Sequence, residues 1–288
     1  MRYNIDMNLE TICIAIASYN TLSTREEGLD SCLEGLNRSI YYFNKLHPDV
    51  RVVVSWVDDA STDNTIEYVK DSFINSDIRR RFLRLEKNSH QGYCRNLATK
   101  IVDSDYIMFC DSDDVFLEDH IKLCYDLIKT KDSAGRHLAM ASTGAYFDPK
   151  LRVYPDWKPR ISATIPITKI IRRDVWEFLE GFPVNDIYKQ TGCEDQDFFQ
   201  LVQHFFYVGF SRKETVEYKC YPGSFFETQL EKFSKHPNYM TPCKREQETA
   251  NLHRIRRMYQ EQRIEFFKHK LMNTDWYTKL EHVITNYT

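Results

Sequence analysis

The sequence predicts an α/β fold with a mostly parallel central sheet flanked by helices. Three observations lead there. Apolar runs of strand length recur at residues 11–17, 50–57 and 106–110, and amphipathic stretches of helical period separate them. Polar turns rich in Asn, Asp and Ser follow the strands. Strand and helix alternating at this spacing indicate right-handed crossover connections in a parallel sheet.

Residues 11–17 are apolar without interruption, as a strand buried on both faces should be, and run into Ser18-Tyr19-Asn20. A helix follows with Ser23 or Thr24 as its cap and Glu26 and Glu27 three residues on. Its apolar face carries Leu29, Cys32, Leu33, Leu36, Ile40 and Phe43, and Pro48 ends it. Residues 50–57 form the second strand, 58–63 a polar turn, and 64–73 a helix capped by Asp63. The third strand is 81–85, followed by a loop at 88–92 and a helix at 93–102; residues 106–110 are the fourth strand. A helix is expected from Phe116 to about Lys129 and a strand at 138–146. Residues 149–168, with Pro155, Pro159 and Pro166, read as an irregular loop of the length that usually carries function. Trp157 in that loop is a candidate stacking platform for an acceptor sugar, whereas Trp176, in a helical stretch at 175–179, belongs to the core. Gly192 precedes an acidic helix start at Glu194. Beyond Thr241 one or two helices are expected on the domain edge, with Leu252, Ile255, Met258, Ile264, Phe267 and Leu271 as a drifting apolar stripe.

The formal net charge of −3 excludes a dedicated nucleic-acid binder, which carries a basic excess. Residues 1–10 are polar and acidic, unlike a signal peptide, and no apolar run approaches the roughly 20 residues that span a bilayer. Eight Cys occur without a C-x-x-C pair, which suits a reduced, cytoplasmic protein rather than a zinc ribbon. Arg79-Arg80-Arg81 and the basic residues at 254–257 offer weak peripheral membrane contact, with solvated faces as the simpler account.

Chemistry concentrates at the strand ends. Asp111-Ser112-Asp113-Asp114 follows the fourth strand, and three carboxylates in four residues repel unless a hard divalent cation offsets them. Ligands of open α/β sheets sit beyond the carboxyl ends of the strands, so a phosphate-bearing substrate is expected there. Asp59, after the second strand, is either an acceptor for a base N–H or a ribose hydroxyl or part of an Asx-rich turn before the next helix. Arg95 lies near a helix start, where anions are favoured. Glu194 and Asp195 begin a helix, and one of them is expected to face a cleft as a general base, with Asp197 and Phe198 turned to packing.

In order, these segments resemble the family 2 inverting glycosyltransferases of the GT-A fold. The resemblance rests on Ala17-Ser18-Tyr19-Asn20, on Asp58-Asp59-Ala60-Ser61-Thr62-Asp63, on Asn88 with Arg95-Asn96, on Asp111-Ser112-Asp113 as a DxD motif, and on Glu194-Asp195 as an ED motif, over roughly residues 10–225. It implies a nucleotide-diphosphate sugar donor, UDP-sugar favoured, and a saccharide or other hydroxyl acceptor. It implies that Ala17, Ser18, Tyr19, Asn20, Asp59, Arg95, Asp111 and Ser112 hold the nucleotide. Asp113, with Asp111 beside it, would hold Mn²⁺ or Mg²⁺, Asp195 would be the catalytic base, and Glu194 would be its companion. Residues 1–235 would form the transferase domain, with a nucleotide-binding half at about 10–115 and an acceptor half at about 116–235; residues 236–288 would be a C-terminal helical extension. Two departures stand out: Ser89 and His90 replace small Gly residues, and Tyr221 stands where many members carry a His that assists the metal. The competing readings are a haloacid-dehalogenase-like Mg²⁺ phosphatase built on Asp111 and Asp113, which leaves Asp59 and Asp195 without a task, and a non-catalytic nucleotide-sugar-binding protein.

Overall fold

The structure, a computed structural model, describes residues 9–73, 77–131, 135–151, 153–155, 157–222, 224, 226–227, 230 and 244–273, without the side chains of 244–249. The elements run β1 (Glu10–Ser18), α1 (Thr21–Leu46), β2 (Val50–Asp58), α2 (Thr65–Ser72), β3 (Arg79–Arg84), α3 (Gln91–Lys100) and β4 (Tyr106–Asp111). They continue with β5 (Val115–Phe116), α4 (His120–Lys129), β6 (Met140–Tyr146), α5 (Lys158–Thr164), β7 (Lys169–Arg172) and α6 (Arg173–Phe178). The last are α7 (Asp186–Thr191), α8 (Glu194–Phe205), β8 (Val208–Glu217) and α9 (Lys244–Met272).

The described strands form one sheet in the order β3-β2-β1-β4-β7-β6-β8-β5. β3, β2, β1 and β4 are mutually parallel, as is the β6–β8 pair, while β7 runs antiparallel to β4 and β6, and β5 to β8. The continuous apolar character of β1 follows from two-sided burial. Ile12, Ile14 and Ile16 join one core with the α1 stripe, α2 and α4; Cys13 and Ala15 join the other with α3, α6, α8 and α9. Every residue of the expected α1 stripe is buried, and Trp176 packs at 4.6 Å from Phe198 and 4.9 Å from Phe182.

Several elements differ from expectation. α1 starts at Thr21, so Ser23 and Thr24 lie inside its first turn and donate back to the Asn20 carbonyl. Its free amides are met by the neighbouring turn: Leu22 N–H donates to Thr65 Oγ1 at 3.0 Å and Ser23 N–H to Asp63 Oδ2 at 2.9 Å. Phe116 belongs to a strand rather than a helix. The stretch at 149–168 is not wholly irregular, because Pro159 in the first turn starts α5. α9 is a single helix whose Phe267 and Leu271 are buried, whereas Ile255 and Met258 are exposed. The expected domain boundary at 235/236 lies outside the described residues.

Candidate active site

Strand register brings the chemistry together. Ala17 pairs with both Val57 and Asp111, and Ser18 with Asp58, so β1, β2 and β4 end level at their carboxyl termini. A cleft of about 690 Å³ opens beyond them. Of the expected site residues, Ala17, Ser18, Tyr19, Asp59, Arg95, Asp111, Ser112, Asp113 and Asp195 line it; Asn20 and Glu194 do not.

Asn20 adopts the left-handed conformation (φ 50°), and its side-chain oxygen accepts from Thr62 N–H at 2.7 Å. It therefore stitches the β1 turn to the β2 turn instead of facing the cleft. Asp58 is fully buried and organises the same turn by accepting from Ser61 N–H. Asp59 lines the cleft, and its two oxygens accept from the backbone amides of Ser89 and His90, at 2.6 and 3.0 Å. It thus fixes the loop that leads into α3. His90 takes a φ of 80° there, a conformation in which a side chain is strained.

α3 then aims Arg95 at the cleft floor. The buried guanidinium donates to Asp111 through Nη2, while Nη1 lies 3.7 Å from Glu194 Oε1. Burial works against the Arg95 charge, but Asp111, Glu194 and Asp195 outweigh it and raise its pKa. Glu194 is wholly buried behind Arg95, receives Gln91 Nε2 at 2.8 Å, and packs where Gly92 leaves room. Its burial keeps it off the cleft lining. One residue on, the 100° helical rotation turns Asp195 into the cleft. Burial and the charge of Glu194, opposed by Arg95, push the Asp195 carboxyl up to about 7.

Asp113 is ion-paired with Arg25, and Ser112 shares a 2.9 Å hydrogen bond with Thr21. Burial and the nearby Asp111 raise the Asp113 pKa, and Arg25 opposes the rise. Asp114 is a structural acid that accepts from Lys219 N–H at 2.7 Å. Tyr221, on the segment after β8, donates to the Asp113 carbonyl at 2.9 Å. Among the described residues no three His, Cys, Asp or Glu side chains gather around a metal position. Asp111 and Asp113 nonetheless fit a Mg²⁺-type ion, which takes one or two carboxylates and completes its shell with water and phosphate oxygens.

Three contributors were not anticipated from sequence. Arg25 comes from a break inside α1, and Gln91 carries no motif. Lys169 is fully buried on β7, where its ammonium donates to Ser162 O, Ile165 O and Thr168 Oγ1 at 2.7–3.0 Å. Burial pushes Lys169 down to about 7 against the pull of Asp195. It secures the end of α5, and Thr164, Ile165 and Pro166 there form a cleft wall. Trp157 immediately precedes α5, packs edge-on to Tyr154 at 5.6 Å and is not on the cleft wall.

Residues 13–188 match the sequence profile of glycosyl transferase family 2, more than half of the chain. The chain belongs to this family. Among curated relatives, the glycosyltransferase GlyG of Streptococcus pneumoniae serotype 4 is 29% identical over 124 residues, which is 43% of this chain and 37% of GlyG. Among solved structures, S. aureus TarS 1–349 in complex with UDP-GlcNAc superposes with a TM-score of 0.57 at 22% identity, covering 75% of this chain and 60% of that one. The mannosyltransferase PcManGT from Pyrobaculum calidifontis, in complex with GDP-Man and Mn²⁺, gives 0.55 at 15% identity, covering 92% and 74%. The chain thus spans well under half of GlyG and under two thirds of the TarS chain. Its fold is the GT-A fold of family 2 glycosyltransferases. The family 2 match ends within α7, just short of Asp195.

Proposed function

We propose that this chain transfers a sugar from a nucleoside-diphosphate sugar to a hydroxyl acceptor with inversion, assisted by a divalent cation, with Asp195 as general base. The observation that carries the reading is that Asp195 and the Asp111–Asp113 pair face one cleft at the carboxyl ends of β1, β2 and β4. Ala17, Ser18, Tyr19 and Asp59 form the nucleotide side of that cleft. Uridine is the favoured base through the family and the likeness to TarS in complex with UDP-GlcNAc. Asp59 keeps an acceptor lone pair on each oxygen, which serves the ring N–H of uracil or of guanine alike.

Asp111 and Asp113 are the residues that hold Mn²⁺ or Mg²⁺. When bound, the ion supplies positive charge to the departing diphosphate. Arg95 keeps Asp111 oriented, and Glu194 keeps Arg95 in place. Asp195 accepts the proton of the acceptor hydroxyl as its oxygen attacks the anomeric carbon opposite the diphosphate. A carboxyl held near neutrality suits this task, because a base works best with a pKa near the working pH. The acceptor meets the wall formed by the end of α5 and by α7. We take the transferase unit as 1–235 and the extension as 236–288, which includes α9, and the setting as cytoplasmic, where seven free cysteines among the described residues are at home. Weak contact with anionic membranes through Arg79 and Arg81 on the edge strand belongs to the same reading.

A thermal-shift panel of nucleotide sugars with and without Mn²⁺ tests it. The expected result is metal-dependent stabilisation by a uridine-diphosphate compound; stabilisation by none of the nucleotide sugars would contradict it.

A further inference from the structure

α1 is broken at one residue. Arg25 has φ −153° and ψ 46° inside a helix that otherwise runs from Thr21 to Leu46. The break carries its guanidinium onto the Asp113 carboxylate. The Tyr221 ring lies against the guanidinium, 5.0 Å from its centroid, and the Tyr221 hydroxyl holds the Asp113 carbonyl at 2.9 Å. Gly28, one turn further along α1, leaves the space this needs: a Cβ there would overlap the Tyr221 hydroxyl and sit 3.2 Å from Asp113 Cβ. Arg25, Gly28, Tyr221 and Asp113 are therefore one fitted unit. The Arg25 side chain is 37% exposed and that of Asp113 13%, and both line the cleft, so the arginine sits on the solvent side of the carboxylate.

We propose that Arg25 is a resident counter-cation. It neutralises Asp113 before the donor arrives, competes with the divalent cation for that carboxylate, and once displaced binds the donor's phosphate oxygens. The inference rests on the assignment of Asp113 as a metal-holding residue. The Asp113 oxygen that Arg25 engages is closed to a cation until the guanidinium leaves, and an arginine on the solvent side of the cleft leaves readily for another oxyanion, which it can bind through two N–H groups. The buried Arg95, by contrast, stays on one oxygen of Asp111 and leaves the other free. The donor diphosphate provides that oxyanion. Metal and nucleotide should therefore bind with positive coupling, each favouring the other to the same extent.

The test measures binding of Mn²⁺ alone, UDP with chelator, and both together, by calorimetry and by the electron paramagnetic resonance of free Mn²⁺, for the wild type, Arg25→Gln and Arg25→Lys. Arg25→Gln should bind Mn²⁺ alone at least about fivefold tighter and UDP under chelator at least about fivefold weaker, so that the coupling shrinks. Arg25→Lys should lie between the two and shows that the helix break tolerates substitution. Equal Mn²⁺ affinity in wild type and Arg25→Gln would overturn the competition and leave the metal assignment standing. Absence of Mn²⁺ binding in both proteins, even with UDP bound, would overturn the metal assignment and this inference together.

Discussion

Arg95 separates Asp111 from Glu194, donating to the first and lying 3.7 Å from the second, so that one buried guanidinium joins the two acidic elements of the cleft. Arg95→Met leaves Glu194 as a buried carboxylate with only Gln91 for company, and should cost about 3–5 kcal/mol in urea denaturation. Adding Glu194→Gln should restore part of that loss, because the uncompensated charge is then gone.

His90 should be relieved by glycine. Its φ of 80° belongs to a region L-residues avoid, and the amide that donates to Asp59 is retained in any variant. His90→Gly should raise stability by about 1 kcal/mol, the strain released less the entropy glycine adds to the unfolded chain. A lower melting temperature would show that the imidazole contributes more than the backbone costs.

The pH dependence follows from Asp195. Its folded pKa is raised to about 7, so the base is protonated and idle below that value and competent above it. The kcat/KM for transfer should rise with pH through a midpoint near 7 and fall away on the acid side. The stability sign is opposite: a raised carboxyl pKa means that the folded state is penalised as pH climbs from the unfolded value towards 7. Asp195→Asn should therefore raise the melting temperature at pH 8 more than at pH 4.

Lys169 should matter for the acceptor wall more than for the donor. Lys169→Met removes the ammonium from the buried carbonyls of Ser162 and Ile165 at the end of α5 and leaves the single Thr168 hydroxyl to serve both. A loss of about 1–3 kcal/mol in stability is expected, with a higher KM for the acceptor and little change in UDP binding measured by calorimetry.

Much of this was legible in the chain. β1, β2 and β4 announce themselves because both faces are buried, Asp59 and Asp113 because they follow β2 and β4, and Arg95 and Asp195 because they lie in the amino-terminal halves of the helices α3 and α8. Other features were not. β7 begins with Lys169, whose burial depends on carbonyls supplied by the end of α5, and its four residues, between the expected loop at 149–168 and the expected helix at 175–179, carry too short an apolar run to mark a strand. β8 is mostly polar along its exposed length and carries no apolar run. Which of Glu194 and Asp195 enters the cleft depends on Gln91, Gly92 and Arg95 across the cleft floor, and adjacent residue types alone do not encode that. Arg25 sits in a stretch with no helix-breaking residue, so its non-helical φ and ψ show only in the structure.

The division of labour between the two ends of the cleft is the central claim, and paired variants test it most directly. UDP binding with Mn²⁺ and sugar transfer should be measured for Asp195→Asn and Asp113→Ala side by side. Asp195→Asn should bind UDP as the wild type does and lose transfer by at least about 100-fold, the range of general-base catalysis, whereas Asp113→Ala should lose the Mn²⁺-dependent part of UDP binding. Near-full transfer by Asp195→Asn would contradict the account.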